Sequence, residues 1–248
     1  MIQLKDLRFK PWKSGGEAAR HPAPQLETAR LEAARRAMIE TQIERRGVRD
    51  PRVLNAMRAV PRHAFVPPEL LLQAYEDAPL PIGAGQTISQ PYMVAAMTAA
   101  LQLAGNERVL EVGAGCGYQA AVLSKLGREI VTLEYRAELA AATSKRLAEM
   151  GYNNVHVHCG DGTLGLPEMA PFDAILVAAG APAPPPPLLA QLAEGGRMVI
   201  PVGNLESQEL RLIECVGRNC NSFQTTVLDS CRFVPLIGAH GWKDLPLR

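Results

Sequence analysis

Residues 108–126 carry the feature that most restricts this chain: an apolar run, a glycine turn and a helix-compatible stretch follow one another directly. Val109, Leu110 and Val112 form the run, with Glu111 inside it. Gly113, Ala114, Gly115, Cys116 and Gly117 make the turn, and residues 118–126 suit a helix. A strand that passes through such a turn into a helix is the opening unit of a parallel α/β sheet. Free amides and the start of a helix should meet there, at a point where backbone can approach an anionic group closely.

The spacing discriminates between ligands. A dinucleotide loop reads G-x-G-x-x-G, with the third glycine allowing helix and strand to pack. Here the glycines are spaced G-x-G-x-G, Tyr118 holds the sixth position, and Glu111 lies two residues before the first glycine. A carboxylate there repels a pyrophosphate and suits an ammonium group, so S-adenosylmethionine fits better than NAD. An NAD-dependent oxidoreductase is the weaker alternative. On the loop alone, a tight turn without a ligand stays open.

Two further acids extend the pattern. Residues 129–134 read as a second strand ending on Glu134, 21 positions after Gly113. Doubly wound folds place an acid on ribose hydroxyls at a spacing of about 20. Residues 155–162 read as a third strand and a turn with Asp161 exposed at its tip, where an acceptor could take an adenine amine hydrogen. Each acid alone is more commonly a solvated strand end. Three at successive strand ends, on the carboxyl edge of an open sheet, point to one ligand site.

Composition excludes several classes. The chain has 248 residues, net charge +1 and 47% hydrophobic residues, which suits one sizeable core and neither a nucleic-acid footprint nor disorder. No apolar run approaches the ~20 residues a bilayer requires. Lys5, Arg8, Lys10 and Lys13 have no apolar block behind them, so no signal peptide is expected. Cys116, Cys159, Cys215, Cys220 and Cys231 are an odd set without C-x-x-C spacing, expected as reduced thiols in a cytoplasmic protein. Cys116 has no base beside it in sequence and is read as a small residue at a helix start, not as a nucleophile. The five histidines form no ligand-spaced cluster, so no metal is assigned.

The organisation follows. Residues 1–26 are expected as a flexible extension and 27–248 as a single domain. Within it, 27–104 form a helical cover and active-site loop, 105–237 the sheet core and 238–248 a tail. Residues 27–46 predict a helix with Leu31, Ala34, Met38 and Ile43 on one face and its charges in water. Asp50 and Pro51 mark the start of a short helix carrying Val53, Met57 and Val60. Strands are predicted over 108–112, 130–134, 155–159, 172–177 and 197–201 with helices between most, hence a parallel sheet. Residues 210–216 and 223–234 lack an intervening helix and predict an antiparallel finish at the edge. The proline run within 181–187 predicts a stiff connector into a helix over 188–193, or a loop that binds an extended peptide. Pro91 opens a helix predicted over 91–104, which makes Ser89 or Gln90 a candidate cap.

Five segments together carry a resemblance: GQTISQPYM (85–93), LEVGAGCGYQ (110–119), GDG (160–162), PFDAI (171–175) and FVPL (233–236). Over residues 35–237 the chain resembles protein-L-isoaspartate O-methyltransferases. The Thr-Ile-Ser-x-Pro-x-Met motif is the distinguishing one, because many methyltransferases share the glycine loop. The first 30 or so residues and the tail fall outside the likeness, and the four-proline run departs from the family pattern.

The resemblance implies a Rossmann-like, S-adenosylmethionine-dependent methyltransferase fold, a doubly wound and mostly parallel sheet with N-terminal helices. It implies methyl transfer to the α-carboxylate of L-isoaspartyl residues in damaged proteins or peptides, the ester then closing to a succinimide. Ser89 becomes the active-site hydroxyl. Gln86, Thr87 and Ile88 shape the loop around the cofactor. Glu111, Gly113, Gly115 and Gly117 belong to the methionine end, Glu134 to the ribose with Tyr135 beside it, and Asp161 with Gly162 to the adenine. Thr87, Ser89, Val234, Pro235 and Leu236 face the peptide. No nucleic acid, membrane or metal is expected, and a monomer is favoured. Two alternatives stay open: a related enzyme esterifying aspartate in one dedicated peptide, and a module that binds isoaspartyl peptides without turnover.

Overall fold

The computed structural model describes residues 24–217 and 220–243. The extension expected over 1–26 lies outside the described residues, except that 24–26 already belong to the first helix. That helix, α1 (Pro24–Met38), runs on through a π turn (Ile39–Ile43) and a 3-10 turn (Glu44–Arg46). Leu31, Met38 and Ile43 are buried as their spacing predicts, and the wider π turn carries Ile39 inward too. Helix α2 (Pro51–Ala59) starts as expected, with the Asp50 carboxylate accepting the Arg52 amide at 2.8 Å and Pro51 in the first turn.

A small antiparallel hairpin, β1 (Leu80–Gly83) and β2 (Gln86–Ile88), precedes α3 (Pro91–Ala100). The helix predicted to run to 104 stops earlier, because Gln102 takes a φ of 50°. The core then alternates: β3 (Arg108–Val112), α4 (Tyr118–Leu123), β4 (Glu129–Glu134), α5 (Ala137–Glu149), β5 (Val155–Cys159), β6 (Phe172–Val177), α6 (Pro186–Leu189), β7 (Leu192–Gly203), β8 (Gln208–Val216) and β9 (Ser222–Cys231). The seven strands order β5-β4-β3-β6-β7-β8-β9, with β5 to β7 parallel and β8 and β9 antiparallel at the edge. This is the mostly parallel, doubly wound α/β sheet that the sequence predicts, with its antiparallel finish at one edge.

Alternation along each strand feeds two cores. Val109, Ile130, Leu176 and Val199 pack on the side of α1 to α4, while Leu110, Val131, Ile175 and Met198 pack on the other with Leu188 of α6. Both faces are covered, which is why these strands read as nearly continuous apolar runs. The chain winds outward from β3 to β5 and then returns beside β3 as β6. Crossovers leave the sheet in opposite directions at that point, and the carboxyl ends of β3 and β6 border a crevice.

Three local expectations are corrected. The helix predicted over 188–193 forms earlier and shorter, beginning at Pro186, because prolines are tolerated in a first turn whose N–H groups lack partners anyway. Strand β7 starts at Leu192 rather than 197, since Gly195 and Gly196 hide a strand that shifts register against β6. Strand β9 ends at Cys231, where the chain leaves the sheet and the Leu236 amide donates to the Gly180 carbonyl at 2.8 Å. The cysteine reading changes as well. Cys215 and Cys220, brought to 5.1 Å between Cα atoms at the β8–β9 connection, form a disulfide, while Cys116, Cys159 and Cys231 are free.

Candidate active site

A cleft opens at the switch point. One wall comes from the ends of β3 and β4 and the segments after them: Gly113, Ala114, Gly115 and Cys116, then Leu133, Glu134, Tyr135 and Arg136, with Gly162 and Ala178. The facing wall is Gln86, Thr87, Ile88 and Ser89, joined by Val94 and by Val234, Pro235, Leu236 and Ile237. Tyr118 and Gln119 of α4 complete the lining. Segments 150 residues apart in sequence thus meet in one place. Three predicted residues do not reach it: Glu111, Gly117 and Asp161.

The turn is not the nest of free amides that its sequence suggests. The Gly113 and Ala114 amides donate to the Leu133 carbonyl at 2.8 and 3.1 Å, and the Gly115 amide donates to Glu134 Oε2 at 2.9 Å. Helix α4 has only six residues, so its dipole is small. On the outer side, Thr143 donates its hydroxyl to the Gly115 carbonyl at 2.5 Å, and Arg146 donates to the Cys116 carbonyl at 2.9 Å. Helix α5 therefore holds the turn by its oxygens. Gly117 has a φ of 89°, and a Cβ on it would lie 2.9 Å from Thr143 Cγ2. Packing of α5 requires this glycine, not contact with a ligand.

Glu111 is sealed beneath the turn with no exposure. One oxygen accepts the Thr132 hydroxyl and the other, Oε1, has no partner. Burial pushes its carboxyl up to about 8; the Thr132 bond opposes this and the charge of Glu134 adds to it. At pH 7 the group is mostly neutral, so the expected charged partner for an ammonium is not there. Between the ordinary 4.5 and about 8 the folded chain holds a proton that the unfolded chain has released, so stability falls as pH rises through that window. Glu111→Gln should flatten this dependence, by on the order of 1–3 kcal/mol between pH 5 and 8. Urea unfolding at the two pH values reads it, and parallel curves for parent and variant would refute it.

Glu134 is buried at the cleft edge, its Oε1 accepting the Arg136 amide at 3.0 Å and its Oε2 the Gly115 amide. Each oxygen keeps acceptor capacity. Asp161, by contrast, is turned away. Its Oδ1 accepts the Thr163 amide and hydroxyl at 2.9 and 2.6 Å, and its Oδ2 accepts the Ala239 amide at 2.7 Å. Burial opposes the charge, but these bonds and nearby His240 hold the carboxyl below its ordinary value. Asp161 clasps the C-terminal segment, and only Gly162 of the pair borders the cleft. A Cβ on Gly162 would overlap Val112, so close backbone packing sets that edge.

Ser89 faces the cleft, and its hydroxyl makes no hydrogen bond among the described residues. The cap position of α3 belongs to Gln90, without a side-chain bond, so Ser89 is not a cap. Burial pushes the Cys116 thiol up, the reverse of what a nucleophile needs. Among the described residues no group of three His, Cys, Asp or Glu is placed to hold a metal, and no helix is long and apolar enough to cross a membrane.

The profile of the protein-L-isoaspartate(D-aspartate) O-methyltransferase family matches residues 33–241. The chain belongs to this family. It is 52% identical over 213 residues to protein-L-isoaspartate O-methyltransferase 1 of Syntrophobacter fumaroxidans, covering 86% of this chain and 98% of the relative. It is 56% identical to the protein-L-isoaspartate O-methyltransferase of Roseiflexus castenholzii, covering 84% and 94%. A solved protein-L-isoaspartate O-methyltransferase aligns with TM-score 0.73 and 28% identity; the match covers 85% of this chain and 66% of that longer one. A Plasmodium falciparum relative in complex with S-adenosyl-L-homocysteine aligns with TM-score 0.68 and 25% identity, covering 84% and 98%.

Protein-L-isoaspartate O-methyltransferases depend on S-adenosylmethionine, and the cleft fits that molecule. Glu134 offers unused acceptor sites, the Gly113–Gly115 backbone forms an open wall, and apolar Leu133, Val112 and Ala178 lie between polar ends. Several lining residues carried no assignment from the sequence, the buried Val94 and Gln119 among them. Val94 sits one turn into α3, directly after the first motif, and Gln119 at the start of α4 is the last residue of the second, and those positions were the signal for them.

Proposed function

We propose that the chain transfers the methyl group of S-adenosylmethionine to the α-carboxylate of L-isoaspartyl residues in damaged proteins or peptides, starting repair through a succinimide. The observation that carries this reading is the Ser89 hydroxyl, unpartnered and facing a cleft whose other wall presents Glu134. When bound, the cofactor supplies an electrophilic methyl group and leaves as a neutral thioether. A carboxylate, with an ordinary pKa of about 4, is ionised at neutral pH, so no general base is needed. Ser89 donates a hydrogen bond to one carboxylate oxygen and aims the other, holding reacting atoms at about 3–3.5 Å. Ile88, Val94 and Val234 exclude water around them.

Glu134 holds the ribose hydroxyls, Tyr135 and Gly162 border the adenine, and Gly113 and Gly115 let the methionine end approach backbone. Gln86 and Thr87 close over the cofactor. Thr87, Pro235 and Leu236 face the peptide. One copy of the chain supplies both walls, so the reading needs no second subunit. Glu134→Ala should weaken S-adenosylmethionine binding by about 1–3 kcal/mol, the scale of a hydrogen bond to a charged group. Calorimetric titration measures this, and an unchanged affinity would remove Glu134 from the ribose. The function itself is tested by labelled methyl transfer to an isoaspartyl peptide beside its aspartyl twin. Label on the isoaspartyl peptide alone supports it; equal label on both, or on neither, overturns it.

A further inference from the structure

Gln119 is nine-tenths buried, lines the cleft, and belongs to neither motif's assigned residues. Its orientation is settled by a neighbour. Thr98 gives its only hydroxyl hydrogen to the Val94 carbonyl at 2.7 Å, an i to i−4 bond within α3. The Thr98 oxygen can then only accept, and it accepts from Gln119 Nε2 at 2.9 Å. Turning the amide over would set two acceptors against each other. The carbonyl oxygen, Oε1, must therefore point away from Thr98. It accepts no bond among the described residues, and it is not one of the buried oxygens sealed from all contact. Its open side is the cleft.

A fixed, unpartnered acceptor in a ligand cleft asks for a donor. On the functional reading above, on which this step rests, the ribose hydroxyls go to Glu134 and the adenine lies toward Tyr135 and Gly162. Two donors are still without a partner: the adenine amine, at the Tyr135 and Gly162 end since Asp161 is turned away, and the α-ammonium, at the glycine-turn end where α4 places Gln119. Glu111, the acid whose position in sequence suggested that role, is sealed off and mostly neutral. We infer that Gln119 Oε1 accepts a hydrogen bond from the α-ammonium of the cofactor's methionine moiety, with Thr98 as the group that aims it. A neutral carbonyl suits this place: it orients the cation without adding a second carboxylate beside the one to be methylated.

The test separates the methionine end from the nucleoside end. S-Adenosylhomocysteine carries the ammonium; 5′-methylthioadenosine shares its adenosine and thioether and lacks the amino-acid part. Gln119→Met should weaken S-adenosylhomocysteine binding about 10–100-fold in calorimetry while methylthioadenosine changes less than about 2-fold. Gln119→Glu, which keeps an acceptor at the same reach once the Thr98 hydroxyl turns from Val94 to donate to it, should retain the preference for S-adenosylhomocysteine, and its binding also guards against a Met variant that fails to fold. Equal losses for both ligands in a folded Gln119→Met would make the residue a packing support between α3 and α4 and overturn the assignment. No loss for either would overturn it too. A parent chain that binds neither ligand would instead strike the proposed function beneath it.

Discussion

Ser89→Ala lowers kcat for isoaspartyl peptide methylation about 100-fold while the Kd for S-adenosylhomocysteine stays within about 2-fold; this is the expected result if the hydroxyl aims the acceptor. A misplacement of about 1 Å between reacting atoms costs this much even when nothing in the chemistry is removed. The hydroxyl caps no helix and holds no other group among the described residues, so its loss leaves the fold untouched. Stability should therefore stay within about 0.5 kcal/mol of the parent, as for substitutions away from any built feature. The two measurements together discriminate. A slow enzyme with an unaltered melting curve supports the positioning role, and a kcat equal to the parent's returns Ser89 to a lining residue without function.

The second large effect is on stability. Gly117→Ala should cost about 2–5 kcal/mol: about 1–2 from forcing a side chain into left-handed backbone and about 1–3 from overpacking. Its φ is 89°, and the added carbon would meet Thr143 Cγ2 at 2.9 Å and Leu147 at 3.2 Å. Gly151 is the control, with a φ of 77° and nothing within 4 Å of an added Cβ. Gly151→Ala should lose only the conformational part, and the difference between the two variants isolates the contact with α5. Urea unfolding reads both. Equal losses would mean that α5 yields without cost. Because Thr143 also holds the Gly115 carbonyl, Gly117→Ala should weaken cofactor binding as well, which Gly151→Ala should not.

Local signals were legible where the chain's own chemistry decides structure. The glycine turn after β3, the acid that ends β4, Asp50 before Pro51 and the helix-free interval before β9 each express a rule spanning a few residues, and the strands 108–112, 155–159 and 172–177 fall where their patterns place them. What stayed hidden depends on partners far away. Asp161 reads as a free tip until the Ala239 amide, 78 residues on, takes its carboxylate. Gln119 reads as one more helix former until Thr98, 21 residues before it, fixes its amide. Glu111 reads as a charge, and only burial within the folded sheet neutralises it. Cys215 and Cys220 lack any familiar spacing, and a hairpin brings them together.

The two walls of the cleft come from different stretches of chain, the Glu134 side from inside the alternating core and the Ser89 side from segments before and after it. Such a division leaves the two halves free to diverge separately. Exchanging residues 80–94 and 233–237 could retune which carboxyl group is accepted, while the strand ends that grip the nucleoside keep their shape.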